Sequence, residues 1–310
     1  MAGNKKRYGI GYQGSKNKVA EWVVSNLPPA TRLYDLFAGG CAITHCAMLQ
    51  GKYKEIVCND VTDSAIFFYD ALNGKYNDRV NEWISRADFE RLKSVDPCIR
   101  ICWSFGHNQN SYLFAKEKEP YMKALWDMAH ATSPAQILSL YMKVLKEKAK
   151  VESLNLFGVV NSYRLECLER LRGLSNLQDK DFIYTSSPQA KCMEIQSKNN
   201  GSSTRMYALC GDYKDIKILP DSIIYCDIPY KGKMKYDKKN FDYEDFYAWC
   251  ERQTELVIIS EYEMPTDRFV CISSKETLTT MCATNNSKKA LEKLFIPVSQ
   301  LPLFKSLTDQ

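Results

Sequence analysis

The chain has 310 residues, of which 45% are hydrophobic and 25% charged, with a formal net charge of +5. Those fractions belong to an ordinary globular protein, and the length suits one large domain or a core domain carrying an insertion. No apolar run approaches a membrane span, and the polar, basic stretch Met1–Tyr8 lacks the apolar core of a signal peptide, so a cytoplasmic location is expected.

From Ser15 the spacing of Val19, Trp22, Val23 and Leu27 predicts a helix, stopped by Pro28-Pro29. Leu33–Phe37 reads as a strand that turns at Gly39-Gly40. Cys41–Gln50 reads as a helix closed by Gly51 at its C′ position. Glu55–Asn59 is a second predicted strand, ending at Asp60, and Thr62–Leu72 a further helix. Strand–helix–strand–helix is the start of a doubly wound sheet.

Beyond Gly74 the pattern changes. Residues 74–204 read as mainly helical with interleaved aromatics, including helices over Ala135–Lys150 and Ser162–Arg172. The polar stretch Lys198–Thr204 reads as a linker. Strands then resume at Met206–Leu209 and Ser222–Cys226. A helix follows over Tyr243–Arg252, then strands at Leu256–Ser260 and Arg268–Ser273. The expected architecture is an α/β sheet domain, 1–73 with 205–310, interrupted by a helical insertion, 74–204.

Twelve cysteines show neither a C-x-x-C pair nor a His/Cys grouping at zinc spacing. They read as reduced thiols serving as small hydrophobes, and no metal is expected. The modest net charge permits nucleic acid as a partner without demanding it. Lysines 231, 233, 235, 238 and 239 crowd one loop, and Lys5, Lys6, Arg7, Lys16 and Lys18 crowd the N-terminus. The first group fits phosphate contact about as well as it fits a solvated loop. The polar and aromatic run Trp103–Tyr112 is a candidate loop at the target.

Two motifs carry chemistry. Asp35-Leu36-Phe37-Ala38-Gly39-Gly40 is a strand feeding a glycine turn, though not the dinucleotide G-x-G-x-x-G. About twenty residues on, Asp60 closes the second strand, where a carboxylate accepts hydrogen bonds from ribose hydroxyls; the competing reading is a helix cap. The second motif is Tyr225-Cys226-Asp227-Ile228-Pro229-Tyr230, a buried strand ending in an acceptor, a rigid turn and a ring. The exocyclic amine of adenine is a poor nucleophile because its lone pair is delocalised. A carboxylate from Asp227 and a backbone carbonyl accept its two hydrogens and free that pair. Tyr230 is expected to stack on the flipped base; the competing reading is a strand-end Asp with a packing Tyr, which the motif standing alone would favour.

With these motifs in this order, the chain resembles the Dam-like, adenine-N6-specific DNA methyltransferase family. Tyr12-Gln13-Gly14-Ser15-Lys16 is similar to the family's N-terminal element, Asp35–Cys41 to its cofactor motif, and Asn59-Asp60 to its acidic strand end. Asp227–Tyr230 resembles its catalytic Asp-Pro-Pro-Tyr. Phe241–Phe246, Val257–Ser260 and Glu292–Ile296 resemble its C-terminal part. The middle third is unmatched.

The resemblance implies a Rossmann-like methyltransferase fold with an inserted target-recognition domain, and S-adenosyl-L-methionine as cofactor. The implied substrate is double-stranded DNA, flipped at adenine. A monomer and a cognate restriction nuclease as partner are implied with it. The implied cofactor residues are Tyr12, Lys16, Asp35, Phe37, Gly39, Asp60 and Asp212. The implied catalytic residues are Asp227, Ile228, Pro229 and Tyr230, with Lys231, Lys233, Lys235 and Lys238 on DNA. Two departures stand out. Ile228 replaces a proline, at a position asked only for its backbone carbonyl, and Cys41 replaces a small residue after Gly39-Gly40. Two alternatives stay open: a non-catalytic DNA-binding relative, and an amino methyltransferase acting on RNA or on cytosine N4.

Overall fold

The computed structural model describes residues 8–79, 82–131, 133, 135–136, 139–140, 143, 204–230, 241–279 and 288–309. The lysine loop after Tyr230, the helix over Ser162–Arg172, all but five residues of the helix over Ala135–Lys150 and all but Thr204 of the linker lie outside the described residues.

The chain divides into two compact units, residues 1–75 with 194–310, and residues 76–193. The first is built on one sheet. Its strands are β1 (Arg32–Asp35), β2 (Glu55–Asp60), β3 (Arg205–Cys210), β4 (Ser222–Cys226), β5 (Leu256–Glu261), β6 (Phe269–Thr279) and β7 (Lys288–Pro297). They stand in the order β3-β2-β1-β4-β5-β7-β6. β1 to β5 are parallel, and β7 is antiparallel to both β5 and β6. This mixed sheet is that of a Rossmann-like methyltransferase fold. The strand order reverses between β1 and β4, and open α/β sheets bind ligands at the carboxyl edge of such a switch point.

Strand alternation explains why both faces are covered. Leu33, Ile56, Ile223, Tyr225, Leu256, Ile258, Leu294 and Ile296 point into one core with helices α1 (Ala20–Asn26), α2 (Ala42–Gln50) and the chain's last helix. Tyr34, Ile224, Cys226, Val257, Ile259 and Phe295 point into the other, against a helix over Tyr243–Arg252. The intervening helix α3 spans Ser64–Leu72.

The N-terminal helical signal resolves into two pieces. Ser15 caps a short 3-10 turn, Lys16–Lys18, and α1 follows with Val23 and Val24 fully buried. Gly51 closes α2 at φ +62, in the left-handed region that glycine adopts without cost. Three features go beyond the sequence reading: β6 runs on to Thr279, β7 exists as a strand, and a helix closes the chain at Leu301–Thr308. Gln300 clamps the start of β5, accepting from Val257 N at 2.8 Å and donating to the carbonyls of Gln253 and Glu255, each at 3.0 Å.

The second unit contains α4 (Arg86–Leu92), α5 (Pro97–Cys102) and α6 (Glu119–Ala129). The helices of the first unit that follow are α7 (Tyr243–Arg252) and α8 (Leu301–Thr308). An aromatic cluster packs within the described part of the second unit. Trp83 lies parallel to Phe114 and edge-on to Trp103, and Tyr112 donates to Ile84 O at 2.7 Å. Among the described residues, no helix is long and apolar enough to cross a membrane, and no group of His, Cys, Asp and Glu could hold a metal ion.

Candidate functional site

The carboxyl edge of β1, β2, β3 and β4 gathers the acidic residues singled out in the sequence. Asp35 ends β1, and its Oδ2 accepts from Thr44 Oγ1 at 2.7 Å and Thr44 N at 3.2 Å, tying the strand to the first turn of α2. Its Oδ1 is buried with no hydrogen-bond partner. Burial pushes the Asp35 carboxyl up to about 7; the Thr44 bonds oppose the rise, and Asp227 adds to it. An orphaned, buried carboxylate oxygen beside a glycine turn fits the ammonium group of an amino-acid cofactor.

Asp60 ends β2. Its Oδ2 accepts from Gly39 N at 2.8 Å, and its Oδ1 from Thr62 N at 2.9 Å and Thr62 Oγ1 at 2.7 Å. It therefore shapes the glycine turn itself, and the N-cap position of α3 falls to Asp63, with no side-chain capping bond. Asn59 joins the strand ends sideways, donating to Leu36 O at 3.2 Å and Gly211 O at 3.0 Å. Asp212, next along, accepts from Lys214 N at 3.0 Å and caps a single 3-10 turn.

The glycine turn is crowded from above by the N-terminal segment. Ile10 N donates to Gly40 O at 2.8 Å. A Cβ on Gly40 would lie 2.6 Å from Tyr12 Cβ, which is why glycine is needed there. Cys41 adopts φ +57 while fully buried, so it takes the left-handed shape that the departure from a small residue implied. Phe37 packs among rings, with Tyr213 at 5.1 Å, Phe246 at 5.8 Å and Phe241 at 5.9 Å between centroids.

Across the switch point, β1 and β4 are paired in register with Asp35 opposite Tyr225. Asp227 thus leaves β4 beside the end of β1. Lys16 Nζ stands 2.7 Å from Asp227 Oδ1 and 3.5 Å from Glu292 Oε1, and 4.4 Å from the centroid of the Tyr230 ring. Burial raises the Asp227 carboxyl to about 6, against the lowering effect of Lys16. Burial alone would depress Lys16, but Asp227 and Glu292 outweigh it and hold the ammonium above its ordinary value. Burial, with Asp227 and Glu292 nearby, pushes the Tyr230 phenol well up.

The turn after Asp227 is held by partners that the sequence did not announce. Tyr243 donates to Pro229 O at 2.9 Å. Tyr230 donates to Glu292 Oε1 and meets the Tyr262 ring edge-on at 4.6 Å. Ile228 is 2% exposed, within the cluster that contains Phe246, Tyr247 and Met264.

Residues 12–162 match the family profile of the D12 class N6 adenine-specific DNA methyltransferases. Over this stretch, just under half of its length, the chain is similar to that family. The match takes in Tyr12, Lys16, the glycine turn and Asp60, and ends before the strand that carries Asp227. A curated relative, the Type II methyltransferase M.CviAII of Paramecium bursaria Chlorella virus 1, is 33% identical over 84 residues. That similarity covers 26% of this chain and 25% of the viral enzyme, so the chain spans about a quarter of the relative it matches. The family match and the sheet order are consistent with the same Rossmann-like methyltransferase fold.

Proposed function

We propose that this chain is a site-specific DNA adenine-N6 methyltransferase that uses S-adenosyl-L-methionine. The observation that carries the reading is the switch point. Asp35 and Asp227 stand at the carboxyl ends of two neighbouring strands, β1 and β4, in a sheet of methyltransferase order. One strand end suits the cofactor and the next suits the amine that receives the methyl.

The cofactor, when bound, supplies an electrophilic sulfonium methyl. Asp35 Oδ1, the Gly39-Gly40 turn, Asp60, Tyr12, Phe37 and Asp212 are the residues to hold it. Asp60 Oδ2 has one donor in Gly39 N, which leaves acceptor capacity for a ribose hydroxyl. Asp227 accepts from the target amine, and the Ile228 carbonyl is the second acceptor. The Pro229 carbonyl is already taken by Tyr243, so the turn is fixed by a tertiary bond where a proline is missing. Lys16 favours the ionised form of Asp227, which is the form that accepts. Tyr230 supplies the stacking face. The proton that the amine sheds has Asp227 as its first base.

Residues 74–204 are proposed to recognise the target, with Lys231, Lys233, Lys235 and Lys238 on DNA phosphates and a monomer as the working form in the cytoplasm. A restriction nuclease of the same site specificity is the partner this activity calls for.

Incubating the purified chain with isotopically labelled S-adenosylmethionine and DNA tests the reading. Nucleoside mass spectrometry should show labelled N6-methyladenine, and sequencing should place it at one short site. Label in N4-methylcytosine, or in RNA alone, overturns the adenine assignment. Cofactor binding without label in any nucleic acid overturns the enzyme assignment.

A further inference from the structure

β7 runs antiparallel to its neighbours, so its first half reaches the edge where the parallel strands end. Ser260 on β5 pairs with Leu294, which puts Glu292 two residues further out, past the end of β5. Glu292 shares a strand face with Leu294 and Ile296, both fully buried in the core. The position continues an apolar face, yet it holds a carboxyl that is only 5% exposed.

Burying a carboxylate is costly unless it is paired, and an apolar residue of similar volume usually serves stability as well or better. What Glu292 does instead is hold three catalytic-edge groups at one oxygen. Its Oε1 accepts from Tyr230 OH and from Ser260 Oγ at 2.9 Å, and lies 3.5 Å from Lys16 Nζ. Lys16 in turn holds Asp227 at 2.7 Å. The stacking ring and the counter-ion of the acceptor are thus located by the same atom.

We infer that Glu292 is a positioning residue for methyl transfer: through Tyr230 it sets the plane on which the target base stacks, and through Lys16 it sets the place and charge of Asp227. The inference rests on the methyl-transfer reading above. It assigns Glu292 no contact with the base. Ser260 fixes the carboxyl, Glu292 fixes the ring and the ammonium, and the ammonium fixes the acceptor. A purely structural Glu292 would matter for folding and leave the titration of Asp227 alone. Among the described residues, the charged and titratable groups around Asp227 include Lys16, Asp35, Asp60, Glu292, Tyr225, Cys226, Tyr230 and Tyr262. Of the carboxylates that raise Asp227, Glu292 ranks first.

The test is Glu292→Gln in the full chain, which keeps the shape and the acceptor oxygen and removes the charge. Tyr230→Phe, which keeps the ring and removes the hydroxyl, is the second variant. Initial-rate kinetics on DNA should show kcat falling by about tenfold or more, about 1.4 kcal/mol in barrier, with KM for the cofactor little changed. The two effects should be non-additive in the double variant, since both break one link. The acid limb of the kcat profile should move to lower pH in Glu292→Gln. Carbon NMR of Asp227 in the protein alone should show the same downward shift. A kcat within about threefold of wild type, additive effects, or an Asp227 titration that does not move overturns the inference. If wild type transfers no methyl to DNA, the methyltransferase reading fails by itself, and the Asp227 titration still decides whether Glu292 controls that carboxyl. If Glu292→Gln does not fold, Tyr230→Phe with unchanged kcat overturns it.

Discussion

Lys16 Nζ and Asp227 Oδ1 stand 2.7 Å apart, joining the N-terminal element to a strand-end motif far along the chain. The pair is short and largely buried, with side-chain exposures of 10% and 19%. It matters because Asp227 carries two opposed demands. Burial favours its neutral form, while the proposed role as acceptor for the target amine is served best by the ionised one.

The balance gives a pH prediction. The Asp227 carboxyl is raised from 3.8 to about 6, so the acceptor is ionised above that value and is lost as pH falls through it. The kcat profile should show an acid limb near pH 6. The stability sign is opposite. A carboxyl whose folded pKa is raised stabilises most below its unfolded value, and that contribution is lost as pH rises through about 6. Asp227→Asn should therefore melt at or above the wild-type temperature at pH 8 while losing methyl transfer by about a hundredfold or more. Melting curves and single-turnover kinetics on one preparation check both halves. Activity within threefold of wild type, under about 0.7 kcal/mol in barrier, removes Asp227 from the mechanism.

Asp60→Ala should weaken cofactor binding more than DNA binding. The variant removes a charge-assisted bond to a ribose, worth about 1.5–3 kcal/mol. The Gly39 N–H also loses its acceptor, so the melting temperature should fall as well. Calorimetry with S-adenosylhomocysteine measures the first effect. An unchanged affinity with a lowered melting temperature would assign Asp60 to the turn alone.

Much of this was legible in the sequence because strand ends announce themselves locally. A short aliphatic run followed by Asp-Leu-Phe-Ala-Gly-Gly or Asp-Ile-Pro-Tyr names its element, while the chemistry proposed for it came from the order of the motifs. Gly51 closed α2 for the same local reason. What was not legible arrives through tertiary register. Glu292 reaches the site only because β7 is antiparallel, and Tyr243 only because α7 packs its start over Pro229. The sequence offered two signals for Glu292: the charged pair Glu292-Lys293 between Leu291 and Leu294, and the resemblance of Glu292–Ile296 to the family's C-terminal part, which gave the segment no role. Lys16 was assigned to the cofactor by resemblance, and the fold also gives it a second partner in Asp227.

Cys41 tests the altered glycine turn. At φ +57 with its side chain fully buried, it trades a left-handed backbone against a filled core. Cys41→Gly removes both the strain and the packing, and should change stability by less than about 1 kcal/mol. Cys41→Val places a β-branched residue in a region it rarely enters and should cost about 2 kcal/mol or more. Urea unfolding separates them. Equal effects of the two would show that backbone shape is not the constraint at this position.

Neutralising Lys233, Lys235 and Lys238 together should lower DNA affinity and flatten its salt dependence. Each phosphate left without its lysine should reduce the log–log slope by roughly one. Fluorescence anisotropy across a salt series measures it. A weaker complex with an unchanged slope assigns the loop a role in shape instead of charge.

Ile228 is where sequence and structure pull apart. The chemistry asks position 228 for a backbone carbonyl, which leaves the side chain free, and Ile228→Pro is then expected to be tolerated or to raise turnover. The fold gives that side chain work: it is 2% exposed in the cluster with Phe246, Tyr247 and Met264. Proline would fix φ in the turn but leave part of that volume empty. The rigidity it offers is already supplied by Tyr243 on Pro229 O. Ile228→Pro should therefore lose about 1–3 kcal/mol of stability and keep kcat within about threefold. Tyr243→Phe, which removes the bond to Pro229 O, should lower kcat more than Ile228→Pro does. In the double variant, proline should recover part of that loss, because one device then replaces the other. Denaturant melts and steady-state kinetics on the three variants decide it. If Ile228→Pro folds stably and turns over faster than wild type, the buried isoleucine is the weaker device, and the Tyr243 bond does not compensate for the missing proline.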